Sequence, residues 1–327
     1  SENGDELVAF SSKVNFVFNK KTGLVSSYKV GSTEYFSEGF GLQPNFWRGP
    51  TDNDYGNGQP KREQIWKQSS KNFNVSDATV KMDGKNAIMT INYLLPAGNL
   101  YIVDYTIYPS GAVHVAAHFT STEMNEAETE VSEATRTATF TPGRDAARKE
   151  ASKLTVPRIG VRFRMPVTMN QVEYFGRGPE ENYWDRKAGT LVGLYKSTAE
   201  DLYFPYVRPQ ENGHHTDTRW VSVSSNKGKG LKIVADELIE FNALRNSIED
   251  FDDEEQTNLP RQWSNFTPEQ IANHDEEAAK NVLRRQHHIN DVTPRNYVEV
   301  CIDLKQQGVG GYDSWGARPE PQYTLPA

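Results

Sequence analysis

Four stretches of the sequence concentrate the residue types that bind or transform ligands: residues 45–56 (NFWRGPTDNDYG), 174–186 (YFGRGPEENYWDR), 206–213 (YVRPQENG, continuing to Arg219 and Trp220) and 307–316 (QGVGGYDSWG). Glycine permits positive φ and close backbone approach, proline fixes corners, and Asp or Asn caps turns. All four therefore read as loops held in definite shapes. The first and fourth set an aromatic ring among several polar groups, the composition of a ligand site. The second and third fit turn architecture equally well, closed by buried Arg–carboxylate pairs such as Asp185 and Arg186 with a neighbour. Aromatic residues make up 11% of the chain. Flat rings match the apolar C–H faces of sugars, so a carbohydrate surface is the sharper reading; aromatic strand residues in a β-protein are the plainer one.

Other chemistries find less support. The seven histidines include the neighbours His214 and His215, which on a strand point to opposite faces. No His-Glu-x-x-His spacing occurs, and no zinc site is assigned. One cysteine, Cys301, excludes an internal disulfide and a Cys-cluster metal site. The acidic run 249–257 lacks EF-hand spacing and reads as a solvated loop. Residues 308–311 lack the strand–loop–helix context and the lysine of a phosphate loop. Among 44 Asp and Glu, nothing in the sequence brings two within the ~5 Å of a retaining glycosidase pair.

The elements that must carry these loops are strands. Period-two alternation predicts them at 14–18, 24–28, 79–82, 87–93, 101–108, 112–119, 160–165, 221–223, 231–234 and 297–304. Asp83-Gly84 marks a hairpin. Helical patterning is confined to 268–272 and 276–280, and strands do not alternate with long helices, which excludes a (β/α)₈ barrel or doubly wound sheet. The fold class expected is all-β, a large two-sheet antiparallel sandwich. It forms a single domain over 1–327, with polar insertions near 121–156 and 249–290.

The 327 residues carry 36 Lys+Arg against 44 Asp+Glu, a net charge of −8, with a pI of 5.5 and a mean hydropathy of −0.72. That balance argues against a nucleic-acid partner. No run approaches the ~18 apolar residues of a membrane span. The polar start at Ser1 is not a signal peptide, and the missing initiator Met suggests a processed or excised chain. A soluble protein is expected, cytoplasmic or periplasmic according to the missing N-terminus.

Residues 45–56, 176–186, 205–213 and 308–315, in order, resemble the hallmark blocks of the C-terminal "small chain" domain (domain 5) of the β-galactosidases of glycoside hydrolase family 2, over about residues 14–325. The resemblance implies a galactose-mutarotase-like supersandwich. It also implies that the two catalytic glutamates, with magnesium and sodium, belong to a barrel domain outside this sequence. This chain would hold no catalytic residue and no cofactor, and would be inactive alone. Its part would be to complete the pocket for terminal β-D-galactosides. The sugar would stack on Trp315; Asp313, Asp54, Gly56 and Arg48 would share the substrate-binding set, and Gly56 would begin a mobile loop over 56–61. The partners implied are the β-galactoside, the enzyme's N-terminal sandwich domains and its barrel, in a homo-oligomer, with no nucleic acid or membrane. The chain departs from many members in lacking a last strand beyond 321–325, and in the composition after Gly56. No role attaches to His214, His215 or the 249–290 region. The alternatives are a stand-alone carbohydrate-binding module and a mutarotase-like aldose epimerase, which needs a His/Glu acid–base pair in a concave site.

Overall fold

The computed structural model describes residues 1–120, 155–252, 288–313 and 316–325. The helices expected at 268–280 and the predicted ligand ring Trp315 lie outside them.

Sixteen strands among the described residues pair antiparallel into three sheets. The first holds β1 (Glu2–Asn3), β2 (Glu6–Phe10), β3 (Val14–Asn19), β4 (Leu24–Val30) and β5 (Thr33–Glu34) in chain order. The chain then makes the short β6 (Gln43–Asn45) and three short helices, α1 (Asp52–Gly56), α2 (Gln59–Arg62) and α3 (Gln64–Ser69). The second sheet is a meander of β7 (Asn74–Asp83), β8 (Asn86–Leu94), β9 (Leu100–Ile107) and β10 (Val113–Thr120). The third contains β11 (Arg158–Pro166), β12 (Gln171–Gly178), β13 (Leu191–Thr198), β14 (His215–Ser224), β15 (Gly230–Leu244) and β16 (Tyr297–Gln306). With β6 it runs β13-β12-β14-β15-β16-β11-β6.

Alternation explains why these sheets stack. On β8, Ala87, Met89, Ile91 and Tyr93 point inward; on β9, Tyr101, Val103, Tyr105 and Ile107 do, as period two requires. They join Phe16 and Phe18 of β3 and Phe163 of β11 in one core. Phe16 meets Tyr105 at 5.5 Å between centroids, and Phe36 meets Phe163 at 5.5 Å. Burying each such ring contributes about 1.5–3 kcal/mol. Two phenol hydroxyls find backbone partners here: Tyr93 donates to the Gly23 carbonyl at 3.0 Å, and Tyr28 to Gly111 at 2.6 Å. The result is the expected all-β antiparallel sandwich.

Three local expectations are corrected. Residues 174–178 form the end of β12 rather than a loop. Their glycines serve close packing: a Cβ at Gly176 would lie 2.6 Å from Thr218 Oγ1. Arg219 and Trp220 likewise belong to β14. In the described start of the acidic run, 250–252 turn inward instead of being solvated, while Glu249 stays exposed and ion-paired. Glu249 pairs with Arg162 at 2.8 Å, Asp250 with Arg295, and Asp252 accepts from Trp47 at 2.7 Å. Among the described residues no helix is long and apolar enough to cross a membrane.

Candidate functional site: four loops tied together

Arg48 is the centre of the first loop. Its guanidinium is buried and grips Asp54 through Nε at 3.2 Å and Nη2 at 3.0 Å. It also donates to the carbonyls of Gln307 at 2.7 Å and Gly308 at 3.1 Å, in the fourth loop. Burial works to lower its pKa, but Asp54, with Glu211 and Glu63 beyond, keeps it raised. Asp54 reaches that position because it closes a capping box on α1. Thr51 Oγ1 accepts from the Asp54 N–H at 3.2 Å, and Asp54 Oδ2 accepts from the Thr51 N–H at 2.9 Å. The neighbouring Asp52 accepts from Arg208 at 3.1 Å and Gln210 at 3.2 Å, in the third loop.

The second loop holds the fourth from the other side. Asp185 accepts the N–H groups of Val309 at 2.9 Å and Gly310 at 2.8 Å, and Arg186 donates to the Gly310 carbonyl. The pairing anticipated between Asp185 or Arg186 and an oppositely charged neighbour is thus replaced by backbone contacts. The second and third loops meet where Glu181 accepts from the Gly213 N–H at 2.6 Å and from the Tyr206 hydroxyl. Burial raises the Glu181 pKa against those two donors. The first and third loops meet where Glu211 N–H donates to Gly49 at 3.2 Å.

Gly311 and Gly316 let the fourth loop lie flat on α1. Gly311 has φ +79°, and a Cβ there would fall 1.7 Å from Asn53 Nδ2; Gly316 has φ +88° and packs on the Gly56–Asn57 peptide. Both need the left-handed region that favours glycine.

Beneath the loops lies a buried polar cluster. Arg158 donates to Asn242 at 2.6 Å and pairs with Asp303 at 3.0 Å. Burial, opposed by Arg158, raises the Asp303 carboxyl to about 7. His214 faces Asn242 Oδ1 at 2.9 Å and Glu240 at 3.0 Å, and stacks on Tyr183. Burial lowers the His214 pKa, but Glu240 outweighs it and the pKa is raised. An adjoining cavity lined by Arg158, Glu211 and Asn242 measures about 20 Å³, room for one water and no sugar. A larger hollow of about 410 Å³, between β2, β7 and β8, includes no residue of the four loops.

The structure thus sorts the predicted site residues. Arg48 and Asp54 are 0% and 1% exposed, with their polar groups engaged within the protein. Gly56 ends helix α1 with an ordinary φ, and 59–62 are helical, so the loop expected over 56–61 is a helix–turn–helix. The capping box and Pro60 at the start of α2 account for the difference. Asp313 is exposed and accepts from the Ala317 N–H at 3.0 Å. Asp185 and Asn53 were not singled out as site residues, and the Thr51-x-x-Asp54 spacing was the available signal for α1. Among the described residues no three His, Cys, Asp or Glu side chains converge as metal ligands.

The four segments of this all-β domain are thus bonded to one another. Residues 10–327 match the family described as beta galactosidase small chain, and the chain belongs to that family. Its relatives include a beta-galactosidase of Priestia megaterium, 29% identical over 99% of this chain and 25% of the relative. One from Halalkalibacterium halodurans is 26% identical over 95% of this chain and 25% of the relative. One from Arthrobacter is 41% identical over 28% of this chain and 9% of the relative. The chain spans about a quarter of the length of the first two.

Proposed function

We propose that this chain is the C-terminal domain of a glycoside hydrolase family 2 β-galactosidase and that its four tied loops complete the galactoside pocket. The whole enzyme would hydrolyse terminal β-D-galactosides with retention, through a covalent galactosyl-enzyme. The acid/base and nucleophile glutamates, with magnesium and sodium, sit on the barrel in this reading. This chain then positions substrate, and the assembled enzyme is a homo-oligomer. The observation that carries the proposal is the bonding of all four family blocks to one another, above all the seating of Gly316, next to Trp315, on Gly56. Trp315 offers the stacking ring and Asp313 a rim carboxylate, while Arg48, Asp54 and Gly56 hold the frame.

The epimerase alternative needs a His/Glu pair open to substrate. The His214–Glu240 pair is 0% and 2% exposed, which disfavours it. The test uses the pure isolated chain. No turnover of a nitrophenyl galactoside above a blank is expected, and sustained turnover would overturn the assignment of catalysis to another domain. Polarimetry showing faster anomer exchange of galactose would put the epimerase reading first.

A further inference from the structure

We propose that Asp185 is a positioning residue for galactoside binding, acting through the loop that leads to Trp315; the inference rests on the pocket reading above. Its carboxylate takes two consecutive backbone N–H groups, Val309 on Oδ1 at 2.9 Å and Gly310 on Oδ2 at 2.8 Å. Such charge-assisted bonds are short and directional. The fit is close. A Cβ on Gly308 would lie 2.6 Å from Asp185 Cγ, so only glycine admits the carboxylate there. Arg186 donates to the Gly310 carbonyl, so adjacent side chains hold the same short stretch by its donors and its acceptor.

The holder is itself fixed. Tyr183 and Arg186 exchange backbone bonds at 3.2 and 2.8 Å, and Tyr183 is buried against His214 with centroids 5.4 Å apart. Beyond Gly311 the chain emerges: Tyr312 is 69% exposed. Asp185 therefore grips the loop at its base, beside Gly311, whose N–H donates to the Ala317 carbonyl at 2.9 Å, so a small shift there displaces the short segment between them. With both oxygens engaged by backbone, Asp185 does not reach substrate itself.

The test compares Asp185→Asn, Trp315→Ala and the double variant in the whole β-galactosidase, reading KM and kcat separately. Asn is isosteric but places an NH2 against one of the two N–H groups. An approximately tenfold rise in KM is expected for Asp185→Asn, the scale of one lost bond to a charged group. The double variant should be no worse than Trp315→Ala, because both act through one loop. Gly308→Ala, which displaces the same carboxylate, should copy Asp185→Asn. A normal KM in Asp185→Asn beside a raised KM in Trp315→Ala would overturn the positioning role and leave the pocket reading intact. A fall in kcat at unchanged KM would mean lost folded enzyme and would overturn it too, as would additive effects in the double variant. A normal KM in Trp315→Ala would sink the pocket reading, and this inference with it.

Discussion

Gly316 rests on the peptide that joins Gly56 to Asn57: a Cβ at Gly316 would lie 2.6 Å from the Gly56 carbonyl carbon and 2.9 Å from the Asn57 nitrogen. The loop that follows β16 is therefore seated on the end of α1, and no side chain fits between them. Gly316→Ala combines this clash with a left-handed backbone, which costs an L-residue about 1–2 kcal/mol. In the whole enzyme the loop should lift, raising KM for galactosides several-fold while the melting temperature of the isolated chain falls by only a few degrees. Wild-type kinetics in this variant would separate the contact from function.

Arg48 and Asp54 form a buried pair whose members are not equivalent. Replacing Arg48 by Met leaves the Asp54 carboxylate buried without its cation and removes the donors to Gln307 and Gly308. Breaking such a pair costs about 3–5 kcal/mol. Urea unfolding of the isolated chain should show a loss of that size. Asp54→Asn, which keeps an acceptor near Arg48, should lose less. Equal losses would mean that the pair's charge contributes little.

His215 should make stability depend on acid. Burial pushes its pKa down to about 4, against the pull of the Pro179 and Gly213 carbonyls. Between pH 4 and 6.5 the unfolded chain therefore binds the extra proton, so stability rises with pH across that window and is lost as pH falls through it. Asp303, raised to about 7, acts oppositely: its contribution is present below about pH 4 and is lost as pH rises towards 7. His215→Phe isolates the first effect, since the ring still stacks on Phe241. The stability of wild type relative to His215→Phe should grow by roughly 3 kcal/mol between pH 4 and 6.5. A pH-independent difference would show that His215 is not held neutral.

Trp315→Ala tests the ring itself. A stacking tryptophan contributes on the order of 1–3 kcal/mol of apolar contact, so KM or Ki for galactosides in the whole enzyme should rise roughly 5- to 150-fold. Melting should stay near wild type, and Trp315→Phe should recover part of the loss. Normal galactoside binding with a much lower melting temperature would make Trp315 a core residue, for which truncation costs about 3–5 kcal/mol.

Strands were legible where alternation is local. β8 and β9 alternate cleanly through Met89–Tyr93 and Val103–Ile107, and Asp83-Gly84 gives the turn between β7 and β8. β12 was missed because Gly176 and Gly178 look like punctuation, whereas their small size serves Thr218 and the Tyr174 ring. Helix α1 is too short for periodicity to register, although Thr51 and Asp54 carry its capping signature. The four blocks could be located in the sequence, but not which side chains face out. Arg48 looks like a ligand-binding arginine until its partners appear 259 and 260 positions away. The same holds for the acidic run at 249, whose Glu249 pairs with Arg162 from 87 positions off. Such pairings depend on tertiary proximity and leave no local signal.

The loops are bonded to one another and to β14: Arg48 to Gln307, Asp185 to Val309, Glu181 to Gly213, and Asn182 to the Thr216 N–H of β14 at 3.0 Å. None can peel away without breaking bonds in its neighbours. The patch should therefore open as one cooperative unit, with the amides of Val309, Gly310, Gly213 and Thr216 sharing a common opening free energy in hydrogen exchange. In the proposed pocket, a galactoside settling on one loop should therefore slow exchange in all four, stiffening the whole surface on first contact with no change of shape.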